Sequence, residues 1–157
     1  MTKIYKLVIS ILLLLSAGCF YLAYTNNGDH LNSCVGRYAA TKEALTVKLL
    51  LNVSFNKHKG NGMLLMEGKL IDDKNKTTTI VDRQTQFTYD KVDNNYFLKS
   101  TSTFVRPDDT ADTELLKLNL PAFFLYGDKT TNYLVYKQGK RGYVFTISKS
   151  PFFYCLV

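Results

Sequence analysis

Two hydropathy patterns divide the chain. From Leu7 to Tyr24 the residues read LVISILLLLSAGCFYLAY, 18 positions without a charge, whereas beyond Cys34 apolar residues return at every second position or in short runs between polar clusters. A helix rises about 1.5 Å per residue, so the first stretch covers roughly 27 Å, close to the hydrocarbon thickness of about 30 Å. It predicts one transmembrane anchor. The remainder predicts one β domain.

The second pattern is most regular where Leu45, Val47, Leu49, Leu51, Val53 and Phe55 alternate with Thr46, Lys48, Asn52 and Ser54, only Leu50 interrupting the polar side. Side chains alternate across a strand, so this is a long, half-buried one. His58, Lys59, Gly60, Asn61 and Gly62 supply a hairpin turn, and Met63 to Ile71 is the return strand. After the polar break Asp72 to Lys76, a strand over Thr77 to Tyr89 puts Val81, Arg83, Thr85, Phe87 and Tyr89 on one face, making Arg83 a partly buried cation or a rim residue. Asp90 to Asn95 turns the chain into a strand from Tyr96 to Val105, closed by Arg106, Pro107, Asp108 and Asp109. Ala111 to Leu120 is the exception to β structure, a short helical turn ended by Pro121, and Ala122 to Tyr126 reads as a buried short strand or loop. Thr131 to Lys137 and Gly142 to Lys149 form a hairpin, after which Ser150 and Pro151 separate the last strand from the ending PFFYCLV. The fold class is therefore mainly β, an antiparallel sandwich or partly open barrel of six to eight strands in meander order, preceded by one N-terminal transmembrane helix.

Lys3 and Lys6 precede the apolar run while Thr25, Asn26, Asn27, Gly28 and Asp29 follow it, so the positive-inside rule puts the N-terminus in the cytoplasm and the domain outside. The segments are 1–6 inside, the anchor 7–24 bounded by Leu7 and Tyr24, a tether 25–33, and the outer domain 34–157. Two rivals exist for the run. Ser16, Ala17 and Gly18 suit a cleaved signal peptide, against which the apolar run continues through Phe20, Tyr21, Leu22 and Ala23. Ala17, Gly18 and Cys19 resemble the end of a lipobox, but Ser16 stands where an aliphatic residue is usual and the residues after Cys19 are apolar.

About 130 residues remain beyond the anchor, enough for one core and too few for two ordinary domains. The chain carries +7, with its basic residues scattered singly apart from Lys140 and Arg141. A solvated β surface accounts for that better than a nucleic-acid footprint. Cys34 and Cys155 open and close the outer domain, and in an oxidising compartment they read as a disulfide between its first and last segments, the alternative being two buried free thiols.

Catalytic chemistry is sparse. The two histidines, His30 in the tether and His58 in a turn, have no partners at zinc-ligand spacing. The pairs Asp72 with Asp73 and Asp108 with Asp109 read as solvated turns, since a calcium loop needs further oxygen ligands in register. Phosphate-loop, dinucleotide and nucleophile-elbow motifs are missing, and no cofactor is implied. The aromatic content is high, 11 Tyr and 10 Phe without Trp, and most of it reads as core, with two clusters set apart. Pro121, Phe123, Phe124 and Tyr126 form one, and Phe152, Phe153 and Tyr154 the other. Neighbours in a strand point to opposite faces, so each Phe pair sends one ring outward unless both faces are covered, making these residues a candidate partner surface, the alternative being burial under a neighbouring loop or against the tether.

The layout resembles the FidL-like family of bacterial inner-membrane proteins: a basic start (Lys3, Lys6), one anchor, Cys34 soon after it, the strands holding Gly68 and Arg83, the segment Leu120-Pro121-Ala122-Phe123, and PFFYC with Cys155. The resemblance implies a single-pass bacterial inner-membrane protein with a periplasmic domain, accompanying a single-span transcription regulator of the ToxR or CadC type. By similarity to ToxS-like accessory proteins, the domain docks on the regulator's periplasmic part and performs no chemistry of its own. Rival readings are a periplasmic small-ligand binder with Arg83 or Arg106 as the anion contact, and an envelope lipoprotein or inhibitor lipidated at Cys19.

Overall fold

The computed structural model describes the backbone of residues 2–25 and 31–157 and the side chains at 9, 11–21 and 31–157. These fall into two compact units, residues 1–30 and 31–157. The first is α1 (Thr2–Thr25). Among the described residues, no helix is long and apolar enough to cross a membrane. The anchor reading extends past them, because the side chains at 7, 8, 10 and 22–24 lie outside the described set, and residues 11–21 alone cover only about 17 Å of helix. Most of the tether, 26–30 with His30, also lies outside it.

The second unit is an eight-stranded antiparallel barrel, β1 (Ser33–Lys42), β2 (Leu45–Asn56), β3 (Asn61–Asp72), β4 (Thr77–Val92), β5 (Asn95–Val105), β6 (Thr130–Gln138), β7 (Gly142–Ile147) and β8 (Ser150–Leu156), with α2 (Thr113–Leu116) and α3 (Ala122–Leu125) between β5 and β6. Each strand pairs with the next in sequence and β8 returns to β1, so the expected meander holds and the sheet closes. It is neither a sandwich nor an open barrel. Local hydropathy is identical for all three arrangements, and the deciding contacts join opposite ends of the chain. Two further expectations are corrected. Ser150 and Pro151 begin β8 rather than breaking a strand, and Ser33–Lys42 is a strand that its mixed polarity conceals. Leu31 is already buried, so the barrel unit starts before Cys34.

The alternation read at Leu45 to Phe55 holds residue for residue: the six apolar members are buried and Leu50 is 43% exposed. The inward side chains of all eight strands, with Leu116, Leu120, Phe123, Phe124 and Leu125 from the β5–β6 connection, make one core. Val53, Leu64, Phe87, Leu98, Phe123, Phe124, Tyr133, Phe145 and Phe153 surround an interior space of about 10 Å³, room for no more than a single water. The barrel is packed rather than hollow.

Closure is uneven. β2 and β3 share twelve residue pairs, whereas β1 and β8 share three, Val35 with Leu156, Gly36 with Cys155 and Arg37 with Tyr154. The Cys34–Cys155 disulfide crosses this seam, with 5.5 Å between the Cα atoms and 121 residues between the cysteines. Within the twelve-pair contact of β2 with β3, Gly68 lets the strands approach, since a Cβ there would run into the Lys48 carbonyl oxygen. Gly68→Ala is expected to cost about 1–3 kcal/mol through forced strand separation, read as a lower urea midpoint with the slope unchanged.

Candidate interaction surface

The barrel has two ends, set by strand direction. At one lie the starts of β1, β3, β5 and β7 and the turns after β2, β4 and β6. At the other lie the turns after β1, β3 and β7 and the long connection 106–129 that carries α2 and α3.

That connection is held by polar residues which the period-two pattern points inward. The fork of Arg83 on β4 meets Asp109, with Nε donating to Oδ2 at 2.8 Å and Nη2 to Oδ1 at 3.0 Å. Nη1 donates to Thr113 Oγ1 at 3.0 Å and Nη2 also to the Ala111 carbonyl at 2.7 Å. Both side chains of the pair are at most 2% exposed. Asp109 accepts two more bonds, from the backbone N–H groups of Asp82 and Ala111. Burial opposes its charge, but the Arg83 hydrogen bond, the two N–H groups and the Arg83 charge outweigh burial and hold the carboxyl below its ordinary range. Asp109 is therefore a buried ion rather than the solvated turn residue its neighbour Asp108 suggested. Two residues further along β4, Thr85 Oγ1 donates to the Phe124 carbonyl at 2.9 Å, and Ser100 Oγ on β5 donates to the Tyr126 carbonyl at 2.6 Å. Register slips beside Phe87 and leaves Thr101 as an extra residue, a bulge that brings Ser100 to this connection.

Arg83, one of the two expected anion contacts, thus has its nitrogens engaged within the chain. Arg106, the other, is 41% exposed at its side chain and lies 3.5 Å from Asp82 and 4.0 Å from Glu67. Asp72 caps the β3–β4 turn, accepting from the N–H groups of Asn75 and Lys74 and from the Asn75 amide, and those bonds hold its carboxyl low. His58 is exposed in the β2–β3 turn. Among the described residues, no group of His, Cys, Asp and Glu is placed to hold a metal.

The aromatic segments are placed differently from the expectation. Phe123 and Phe124 are both 2% exposed, because Ala122–Leu125 is a helical turn and strand alternation does not apply to it. Phe153 is buried and Phe152 packs against the core. Here β7–β8 register passes from Phe145 with Phe153 to Thr146 with Pro151, leaving Phe152 as a bulge residue that joins its neighbour on the inside. Its ring lies 4.9 Å from Tyr38, 5.6 Å from Tyr133 and 5.8 Å from Phe124, centre to centre. Pro121 and Tyr126 are half-buried. Of the seven residues expected at a partner surface, Tyr154 alone is well exposed, at 47%.

Tyr154 belongs to a row that reading one strand at a time misses. Leu50 on β2, Arg37 on β1, Tyr154 on β8, Val144 on β7 and Tyr136 on β6 are consecutive cross-strand partners, all on the outer face. Val35 and Leu156, a pair in the same seam, lie alongside. Leu50, Val35, Tyr136, Tyr154 and Leu156 are each 40% or more exposed, and with Gly36 and Arg37 most of them line a shallow depression. Leu50, the one residue that interrupts the polar side of β2, was the signal for this face in the sequence.

Residues 31–155 match the family model described as the YqeJ C-terminal domain, a description that does not include the FidL-like name. No curated protein and no solved structure matches the chain.

Proposed function

Since the chain belongs to the YqeJ C-terminal domain family, we propose that this domain is a non-catalytic accessory module that docks on a membrane-bound partner, and that α1 is its single-pass anchor. One observation carries the reading: the interior is filled to about 10 Å³, while an apolar row with Tyr154 at its centre stands on the outside. A ligand binder or enzyme of this size needs a concave site, and a docking module needs an outward one. The Cys34–Cys155 disulfide suits an oxidising compartment. The helical backbone of 24 residues and the charge-free run Leu7 to Tyr24 support the anchor, with Lys3 and Lys6 on the cytoplasmic side. In this reading the protein sits in a bacterial inner membrane with its barrel in the periplasm. Its partner is a single-span winged-helix regulator of the ToxR or CadC type, whose stability or activity it alters. Sharing one bilayer raises the effective concentration of both proteins, so a modest patch suffices.

The test is mild crosslinking of intact cells, capture of the anchored protein from membranes and mass spectrometry of what it holds and of its own N-terminus. Recovery of a single-span winged-helix regulator with an unprocessed start is expected. A lipid-modified Cys19 without such a partner would replace this reading with the lipoprotein one. Tyr154→Ser combined with Leu50→Ser is expected to lower regulator recovery by about tenfold, as for loss of a small central hot spot, with the disulfide still formed. Unchanged recovery would remove this face as the docking surface.

A further inference from the structure

The two barrel ends differ in charge. The end where the chain enters β1 carries Lys57, Lys59, Lys140 and Arg141 in its turns against Asp93, with Lys91, Lys137 and Asp90 on the adjoining strand ends. The opposite end has six basic and seven acidic residues across its three turns and the 106–129 connection. Lys57, Lys59, Lys140 and Arg141 are exposed, while Lys91 lies with its Nζ 5.4 Å from the centre of the Tyr96 ring.

The entry end also exposes apolar side chains. Val92 at the β4–β5 turn is 60% exposed, and Leu156 and Val157 are 54% and 63%. Val157 is fixed beside the basic β6–β7 turn by its N–H, which donates to the Arg141 carbonyl at 2.9 Å. Below these tips sit Phe55, Tyr89 and Tyr96, whose rings lie within 6.0 Å of one another. Basic side chains around apolar tips are the composition of a surface that rests on anionic headgroups.

The geometry points to the turns around Lys57, Lys59, Val92, Lys140 and Arg141 as a contact surface for anionic phospholipid headgroups, holding the barrel with its chain-entry end on the bilayer. The opposite end, with α2 and α3, then faces away from the membrane. This inference rests on α1 being an anchor. It goes further by fixing which part of the barrel meets lipid and which lipid chemistry it meets.

The chain contains no tryptophan, so one introduced indole reports alone. Val92→Trp at the entry end and Leu118→Trp at the far end are made separately in the full chain and reconstituted in vesicles of brominated phosphatidylcholine, with or without phosphatidylglycerol. Alkaline carbonate extraction of the same vesicles reports insertion. The expected result is a chain retained after extraction, with Val92→Trp blue-shifted and quenched severalfold more than Leu118→Trp when phosphatidylglycerol is present. The difference should disappear in high salt and in the variant K57E/K59E/K140E/R141E, whose disulfide, seen by its mobility without reductant, shows that it folds. Retention with equal quenching of the two indoles would overturn this inference and leave the anchor standing. Quenching independent of phosphatidylglycerol would overturn the headgroup assignment, and release by carbonate would overturn the anchor and this inference together.

Discussion

Asp109→Ala is expected to destabilise the barrel by about 3–5 kcal/mol, because it leaves the Arg83 guanidinium charged, buried and without its anion. The two bonds between them are 2.8 and 3.0 Å long and both side chains are sealed from solvent, so water cannot replace the lost carboxylate. The loss falls on the mouth of the barrel as well, since the same fork holds Ala111 and Thr113. Urea unfolding of the full chain in detergent measures it. Arg83→Met with Asp109→Leu should recover much of the loss, because an apolar pair has no buried charge to compensate. If the single variant unfolded at the parental midpoint, the pair would be of no energetic consequence.

The same carboxylate sets an acid limb. Its folded pKa is depressed, so its contribution is fully present above the unfolded value of about 3.9 and is lost as the pH falls through the lower folded value. Stability measured from neutral pH downward should stay level with respect to this group until the ordinary carboxylate range and fall below it. In Asp109→Asn that part of the fall should be missing.

Cys34→Ser with Cys155→Ser is the second large effect expected, a loss of about 4–5 kcal/mol on the chain-entropy account for cysteines 121 residues apart. The location adds to the length. The bond spans the one seam closed by three residue pairs, so without it the sheet has two strands able to part. Hydrogen exchange should therefore speed up in β1 and β8 before it does in β2 and β3, which share twelve pairs. Equal acceleration in all strands would show that the disulfide acts on the unfolded chain alone.

How far the fold could be read depended on the range of the interaction. The alternation from Leu45 to Phe55 is local, and β2 follows it through every residue. The face holding Val81, Arg83, Thr85, Phe87 and Tyr89 was also legible, though it left Arg83 open between a partly buried cation and a rim position. The counterion of Arg83 was not legible, because Asp109 lies 26 residues away and looks in sequence like its exposed neighbour Asp108. Phe123 and Phe152 failed for a related reason. The rule that sends adjacent side chains to opposite faces assumes regular strands, and here one pair lies in a helical turn and the other at a bulge. Neither departure has a local signal of its own beyond Pro121 and Pro151. The outer row through Tyr154 needed the register of five strands, which no single stretch contains.

The pairing of the first strand with the last also orders the life of the molecule. A ribosome delivers Ser33 long before Leu156, and if the barrel is exported it emerges from the membrane in that direction. Every strand from β2 to β7 can find its neighbour as it appears, but β1 must wait, one edge unpaired, until the last seven-residue strand arrives. Cys34 waits with it as a thiol, open to mispairing with any other cysteine that passes. A chain that stopped before Ser150 would be an open sheet with two sticky borders, a natural mark for quality-control proteases. Arrival of β8 is thus written into the architecture as the event that seals it.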